Sequence, residues 1–340
     1  MTRTNFGMAK LAALSLAGLI ALGNLPAAAE EVEHATLAIP GVTIGFITRF
    51  IADDEKFWAR QGLDVKILDI AGIGSMNAVI SGSVEFSMSS GPSITRAKAH
   101  GQNLTALATA INQADEDIVL RKSITDAGHF DPKSSIVERG KLLKGKTLAV
   151  GGIGAIPDVV LKVIAIQAGL GRDDVIVTAM QPPEYMAAFS RNAIDGFVSG
   201  PPFIQQAVLA GTGVVLTDTT KGEPVEYSPQ SAGRLLARAD YCPAHRSVCT
   251  KMVHGIVEAA KFLHEHRAES IKIAKAHFAN YGDDVIAASV DMLIAMTPSP
   301  PLTTAKMLEN GDLINIAAGF LKPEDKLAKY DDLIDNQYVK

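Results

Sequence analysis

Short apolar runs alternate with glycine-marked turns and amphipathic stretches along most of the chain, the rhythm of strands and helices in a parallel sheet covered by helices. The runs at 36–40, 64–70, 84–89 and 104–111 read as strands, and the stretches at 46–60, 75–81 and 92–100 as helices between them. A polar interruption at 112–117 breaks the series, and the series then begins again. Strands are expected over 118–121, 147–151, 175–179 and 196–199, with helices over 158–168, 184–191 and 202–210. Beyond about 218 the pattern becomes mostly helical, with long amphipathic stretches at 251–266 and 268–279. The pattern therefore predicts two α/β lobes. Residues 30–111 form the first part of lobe 1, 112–217 form lobe 2, and 218–340 return to lobe 1 as a mostly helical segment.

The first 29 residues stand outside this rhythm. Arg3 and Lys10 give a positive start, an apolar run follows, and Ala27-Ala28-Ala29 offers small residues for cleavage before Glu30, the order of parts in a secretory signal peptide. The run is too short to span a bilayer as a helix. Export with cleavage after Ala29 is expected, giving a freely diffusing periplasmic protein, with full secretion second. A lipid anchor would need a cysteine at the new N-terminus, and the two cysteines are Cys242 and Cys249. Cleavage moves the formal net charge from −5 to −7, because the leader carries two positive and no negative side chains. That balance argues against a nucleic-acid partner. A hydrophobic content of 47% with 20% charged residues indicates a folded globular chain.

Chemistry-bearing motifs are sparse. Gly140-Lys141-Leu142-Leu143-Lys144-Gly145-Lys146-Thr147 matches the phosphate-binding loop of nucleotide enzymes letter for letter, but the strand follows it where that loop needs a strand before and a helix after. No nucleophile elbow appears, and His264-Glu265-His266 lacks metal-ligand spacing. No catalytic set, metal site or cofactor is therefore expected, although a triad assembled from distant residues stays open. Phe50, Phe57 and Trp58 at helical spacing read as core. Cys242 and Cys249, seven residues apart, are expected to form a local disulfide in an oxidising compartment, against a zinc site with His254 or two reduced thiols. Four strand-to-helix junctions share a small, polar character: Pro40-Gly41-Val42-Thr43, Gly72-Ile73-Gly74-Ser75, Ser89-Ser90-Gly91-Pro92-Ser93 and Gly151-Gly152-Ile153-Gly154-Ala155-Ile156-Pro157-Asp158. In open α/β sheets such turns gather at the carboxyl ends of the strands, where ligands bind. The last exposes backbone amides suited to an anion, and Asp158 in it either caps the helix or meets a ligand amine or hydroxyl.

Phe57-Trp58-Ala59-Arg60-Gln61-Gly62-Leu63-Asp64-Val65 resembles a segment of the periplasmic substrate-binding proteins of ABC importers of the nitrate/sulfonate/taurine and thiamine-precursor type. Ile80-Ser81-Gly82-Ser83-Val84-Glu85-Phe86, Leu143-Lys144-Gly145-Lys146, Ile194-Asp195-Gly196-Phe197 and the ending Asp332-Leu333-Ile334-Asp335-Asn336-Gln337-Tyr338 resemble the same family in the same order. The resemblance implies an α/β type II periplasmic binding fold, two lobes joined by a hinge with the ligand cleft between them. It implies capture of a small polar or anionic organic ligand, a sulfonate or carboxylate, and delivery to an inner-membrane ABC permease by a monomer that does no covalent chemistry. A pyrimidine-like heterocycle, a periplasmic enzyme on the same lobes and a sensor subunit are the alternatives. Carried onto this chain, the family's binding positions are Thr43, Ser75, Ser90, Gly152, Gly154, Gln181 and Ser199, joined by Asp158 from the glycine turn. The chain departs from the family pattern at Ser199-Gly200-Pro201-Pro202.

Overall fold

Central strands of a parallel sheet are covered on both faces and so read as unbroken apolar runs, while edge strands alternate. The two sheets follow this rule except at one edge of the first. The computed structural model describes residues 31–41, 43–70, 73–89, 91–171, 173–230 and 232–340. The expected leader over 1–29 lies outside the described residues.

The first series contributes β1 (Glu33–Ile39), α1 (Ile47–Asp54), β2 (Leu63–Asp69), α2 (Gly74–Ile80), β3 (Phe86–Ser89), α3 (Gly91–Ala99) and β4 (Leu104–Ile111). The second contributes β5 (Asp117–Arg121), α4 (Lys122–Ala127), α5 (Ile136–Gly140), β6 (Lys146–Val150), α6 (Ile156–Gln167), β7 (Val175–Ala179), α7 (Pro182–Ser190), β8 (Gly196–Ser199), α8 (Phe203–Leu209) and β9 (Gly213–Val215). The return holds β10 (Gly233–Arg238), α9 (Tyr241–Ala244), α10 (Arg246–Glu265), α11 (Arg267–His277), α12 (Asp283–Met296) and α13 (Ala305–Ala317).

Two five-stranded sheets result, with orders β2-β1-β3-β10-β4 and β7-β6-β8-β5-β9. In each, one strand runs antiparallel among parallel neighbours: β10 against β3 and β4, and β5 against β8 and β9. The central strands β3 and β8 are buried at every position, and so is the edge strand β4, whereas the edge strands β2 and β7 include exposed residues. The second sheet is two-sided as well, with Leu148 and Val150 packed on α6 and Ala149 and Phe197 facing the other way.

Three features differ from the sequence reading, each for a tertiary reason. The helix expected over 46–60 ends as α1 at Asp54, and Lys56 takes a left-handed φ of 57°. The break lets Trp58 turn inward, where it is 2% exposed and its Nε1 donates to the Met252 carbonyl at 3.0 Å. Gly255 of α10 provides the slot, since a Cβ there would stand 2.1 Å from Trp58 Nε1. The return segment, expected to be mostly helical, also supplies β10, an unexpected strand that ties it into the first sheet, and the second sheet gains the short edge strand β9. Gly140 closes α5 and β6 opens at Lys146, so the segment with phosphate-loop spelling leads into a strand.

Cys242 and Cys249 are bonded to each other, both buried, and join α9 to the first turn of α10. His254 has no part in that link. Among the described residues no helix is long and apolar enough to cross a membrane.

Candidate functional site

A turn from each lobe meets the segment that crosses between them. Thr43 Oγ1 accepts from the Gly45 amide at 3.4 Å and opens the turn before α1. A Cβ on Gly45 would stand 2.9 Å from Asp115 Oδ2, and one on Gly200, just past β8, would stand 2.9 Å from the Asp115 carbonyl. Two glycines thus let both turns close on Asp115. Asp115 was not among the site residues expected from sequence, which placed the first crossing between the lobes at the polar stretch 112–117 without singling out a residue in it.

Three acids in a row occupy this crossing. Burial pushes the Asp115 carboxyl up to about 6. Glu116 is held well above the ordinary carboxylate range by burial and then by its two acidic neighbours. Asp117 is pushed up to about 7 by burial, against the pull of the Thr219 amide and the Thr217 hydroxyl, each donating to its Oδ1 at 3.0 Å. Ser199, which pairs with Asp117 across the β5–β8 ladder, is buried and accepts from the Tyr185 hydroxyl at 2.5 Å. Tyr185 in turn stacks on Phe197 with ring centroids 5.2 Å apart and meets Phe203 edge-on. Tyr185, itself held by these two rings, therefore braces Ser199 from within the lobe.

The glycine turn before α6 is organised by Asp158. This residue is fully buried in the first helical turn, and the N-cap position belongs to Ala155. Asp158 Oδ2 reaches back to accept from the Gly154 amide at 2.7 Å and from Lys162 Nζ at 2.7 Å. Asp158 therefore caps no amide of the helix and instead ties down the turn that precedes it. Gly154 has a φ of 80°, a conformation that excludes most side chains, and its missing Cβ faces the Phe320 ring at 3.5 Å. Lys162 Nζ lies 4.6 Å from the centre of that same ring. Gly152 is the open member of the turn, with Ala155 Cβ the nearest neighbour of a hypothetical Cβ at 3.8 Å. Gln181 is exposed and braces the turn from the side: its Nε2 donates to the Gly151 carbonyl at 3.4 Å, while its amide donates to Glu184 Oε2 at 2.9 Å.

In the first lobe Ser75 is buried at the start of α2 and engaged. Ser90 lies outside the described residues, but its neighbour Ser89 ends β3 with its Oγ 3.1 Å from Ser87 Oγ. Directly across the ladder from Ser89 stands Arg234 of β10, also absent from the sequence expectations. The structure thus groups Thr43 with Ser199 around the crossing, groups Gly152, Gly154, Asp158 and Gln181 on the second lobe, and puts Ser75 and Ser89 on the first. All these turns leave the carboxyl ends of parallel strands. Hydroxyls, amides and buried charges line them. Among the described residues no group of three or more histidine, cysteine or acidic side chains is placed to hold a metal ion.

Residues 28–277 match the model of the NMT1-like family. A solved protein from Bordetella bronchiseptica superposes with a TM-score of 0.76 at 19% identity, over 90% of this chain and 95% of that one. The alkanesulfonate-binding protein SsuA from Xanthomonas axonopodis pv. citri, bound to MOPS, superposes with a TM-score of 0.69 at 17% identity, covering 91% and 100%. The periplasmic nitrate-binding protein NrtA from Synechocystis gives 0.68 at 17% identity, covering 87% and 84%. At these identities the likeness establishes the fold, the two-lobed periplasmic binding architecture. Comparison with curated proteins gives no match.

Proposed function

Since this chain belongs to the NMT1-like family, we propose that it is the solute-binding component of an ABC-type importer, capturing a small polar or anionic organic ligand between its lobes. The observation that carries this reading is the meeting of the Gly45 and Gly200 turns at Asp115, because it puts loops of both lobes against one crossing segment. Closure around a solute there would exclude water and strengthen each hydrogen bond to it. Relatives of the same fold are described as binding alkanesulfonates and nitrate, which favours an oxyanion. On this reading the protein works as an exported periplasmic monomer that hands its ligand to a membrane permease unchanged. Thr43, Ser75, Ser90, Gly152, Gly154, Gln181 and Ser199 are the proposed lining of the cleft.

Native mass spectrometry of protein purified without denaturation tests the proposal. A retained small molecule is the expected result, recovered unchanged after prolonged incubation with fresh protein. Adding it back should stabilise the fold by about 2.7 kcal/mol at a hundredfold excess over its Kd. Turnover of the solute at catalytic rates would reject ligand capture in favour of an enzyme.

A further inference from the structure

The start of β10 holds a charge that no described residue answers. Arg234 is fully enclosed, yet its Nε, Nη1 and Nη2 have no hydrogen-bond partner among the described residues. Burial alone pulls its guanidinium down to about 9, so it stays protonated at neutral pH. A guanidinium carries five donors in a rigid fork, and removing one from water without a partner is strongly unfavourable. Arg49, the other buried arginine with an enclosed idle donor, has only its Nε so enclosed, is 8% exposed and stacks on Phe50 at 4.0 Å. Arg234 is different in kind.

Its position says what would satisfy it. The register opposes Arg234 to Ser89 of β3 on one side and to Thr109 of β4 on the other. Directly opposed residues of an antiparallel ladder leave the sheet on the same face. Leu236, two residues further on and so on that face too, packs with Ile94 and Ala97 of α3. Arg234 therefore lies on the face of the sheet that α3 covers, on the same side as Ser87 and Ser89, near the carboxyl end of β3. A planar fork flanked by hydroxyls matches a sulfonate or carboxylate, which accepts two parallel bonds from arginine and further bonds from hydroxyls.

We infer that Arg234 is the counter-charge for the anionic head of the ligand, and that the solute is a small organic oxyanion and not a neutral heterocycle. The inference rests on the solute-binding reading above and adds the charge of the solute to it. The anion reaches the fork only when the groups enclosing Arg234 move.

The test is thermal unfolding of dialysed full-length protein, followed by fluorescence of Trp58, the single tryptophan. The probes are methanesulfonate, acetate, the solute recovered by native purification, and dimethyl sulfone as a neutral match to methanesulfonate. At least one anion raises the Tm of the unsubstituted protein and dimethyl sulfone does not. Arg234→Met abolishes the anion-dependent rise and, having shed an unpaired buried charge, unfolds at an equal or higher temperature without ligand. Arg234→Lys keeps the charge without the fork and binds roughly ten- to a hundredfold more weakly. An Arg234→Met protein that unfolds at a lower temperature or fails to fold overturns the inference, because the guanidinium is then a structural group. A rise that survives in Arg234→Met overturns it too. Stabilisation by a neutral solute alone removes the charge assignment and leaves solute capture standing. No retained molecule and no response to any probe removes both.

Discussion

Asp158 is the best place to separate a residue that builds the glycine turn from one that meets the ligand. Replacing it with alanine removes one oxygen that accepts two bonds, from the Gly154 amide and from Lys162 Nζ, both at 2.7 Å. A bond to a charged group contributes about 1.5–3 kcal/mol. Lys162 is 34% exposed and can turn to water, so its share falls to about 0.5 kcal/mol. The Gly154 amide sits in a turn held against Phe320 and keeps nearly the whole of its share. Removing Oδ1, which is buried with no partner among the described residues, returns part of the loss. The net expectation is about 2 kcal/mol of destabilisation for Asp158→Ala. Asp158→Asn retains an oxygen for the Gly154 amide and should lose about 1 kcal/mol. Urea unfolding followed by far-ultraviolet circular dichroism measures both, and a double-mutant cycle with Lys162→Met isolates the weak ion-pair share. An alanine variant within about 0.5 kcal/mol of the unsubstituted protein refutes the assignment. So does Asp158→Asn with unchanged unfolding and a tenfold loss of affinity for the native solute, since the carboxylate would then be spent on the ligand.

The strands 104–111, 175–179 and 196–199 have the same limits in the sequence and in the structure, and the reason is physical. Covered by helices or buried on both faces, or bounded by glycine and proline, they appear as short β-branched and apolar runs. The break after α1 could not be read, because Trp58 leaves helical periodicity only to fill a slot made by Gly255, almost two hundred residues away. β10 was missed for a related reason. Gly-Arg-Leu-Leu-Ala-Arg has neither strand alternation nor a clean apolar run, and its burial follows from neighbours drawn from the first series. The candidate site divides along the same line. The turns are legible through their glycines and hydroxyls, since local backbone geometry selects those residue types. Which amide or hydroxyl is already engaged is decided by contacts across the fold, as in Ser199 with Tyr185 or Gly154 with Asp158. Arg234 illustrates the limit: its type is visible in the sequence, and its lack of a partner is a property of the packed molecule alone.

Gly255→Ala should destabilise by about 2 kcal/mol, because a Cβ placed 2.1 Å from Trp58 Nε1 overpacks the slot and strains the bond to Met252, against about 1 kcal/mol gained in helix propensity. Urea unfolding reads the loss and red-shifted Trp58 emission reads the displaced ring; a variant as stable as the unsubstituted protein refutes the tight fit. The crossing acids make the last prediction, for pH. Asp117 has a folded-state pKa of about 7, above the ordinary aspartate value near 3.9, so the folded chain holds its proton more tightly than the unfolded chain. Its contribution is thus present in full at acidic pH and is lost as pH rises through about 7, by on the order of 4 kcal/mol over the whole range. Asp117→Asn keeps an Oδ1 to accept from the Thr219 amide and the Thr217 hydroxyl, yet carries no proton to lose. Paired melting curves from pH 5 to pH 8 should therefore show the Asn variant gaining on the unsubstituted protein as pH rises. Surface acids such as Asp291 and Glu309, lowered by their basic partners, act in the opposite sense but are common to both proteins and cancel in the difference. Parallel curves, or a difference that shrinks towards pH 8, would mean that Asp117 is ionised in the folded chain at mildly acidic pH and that the crossing is wetter than its packing implies.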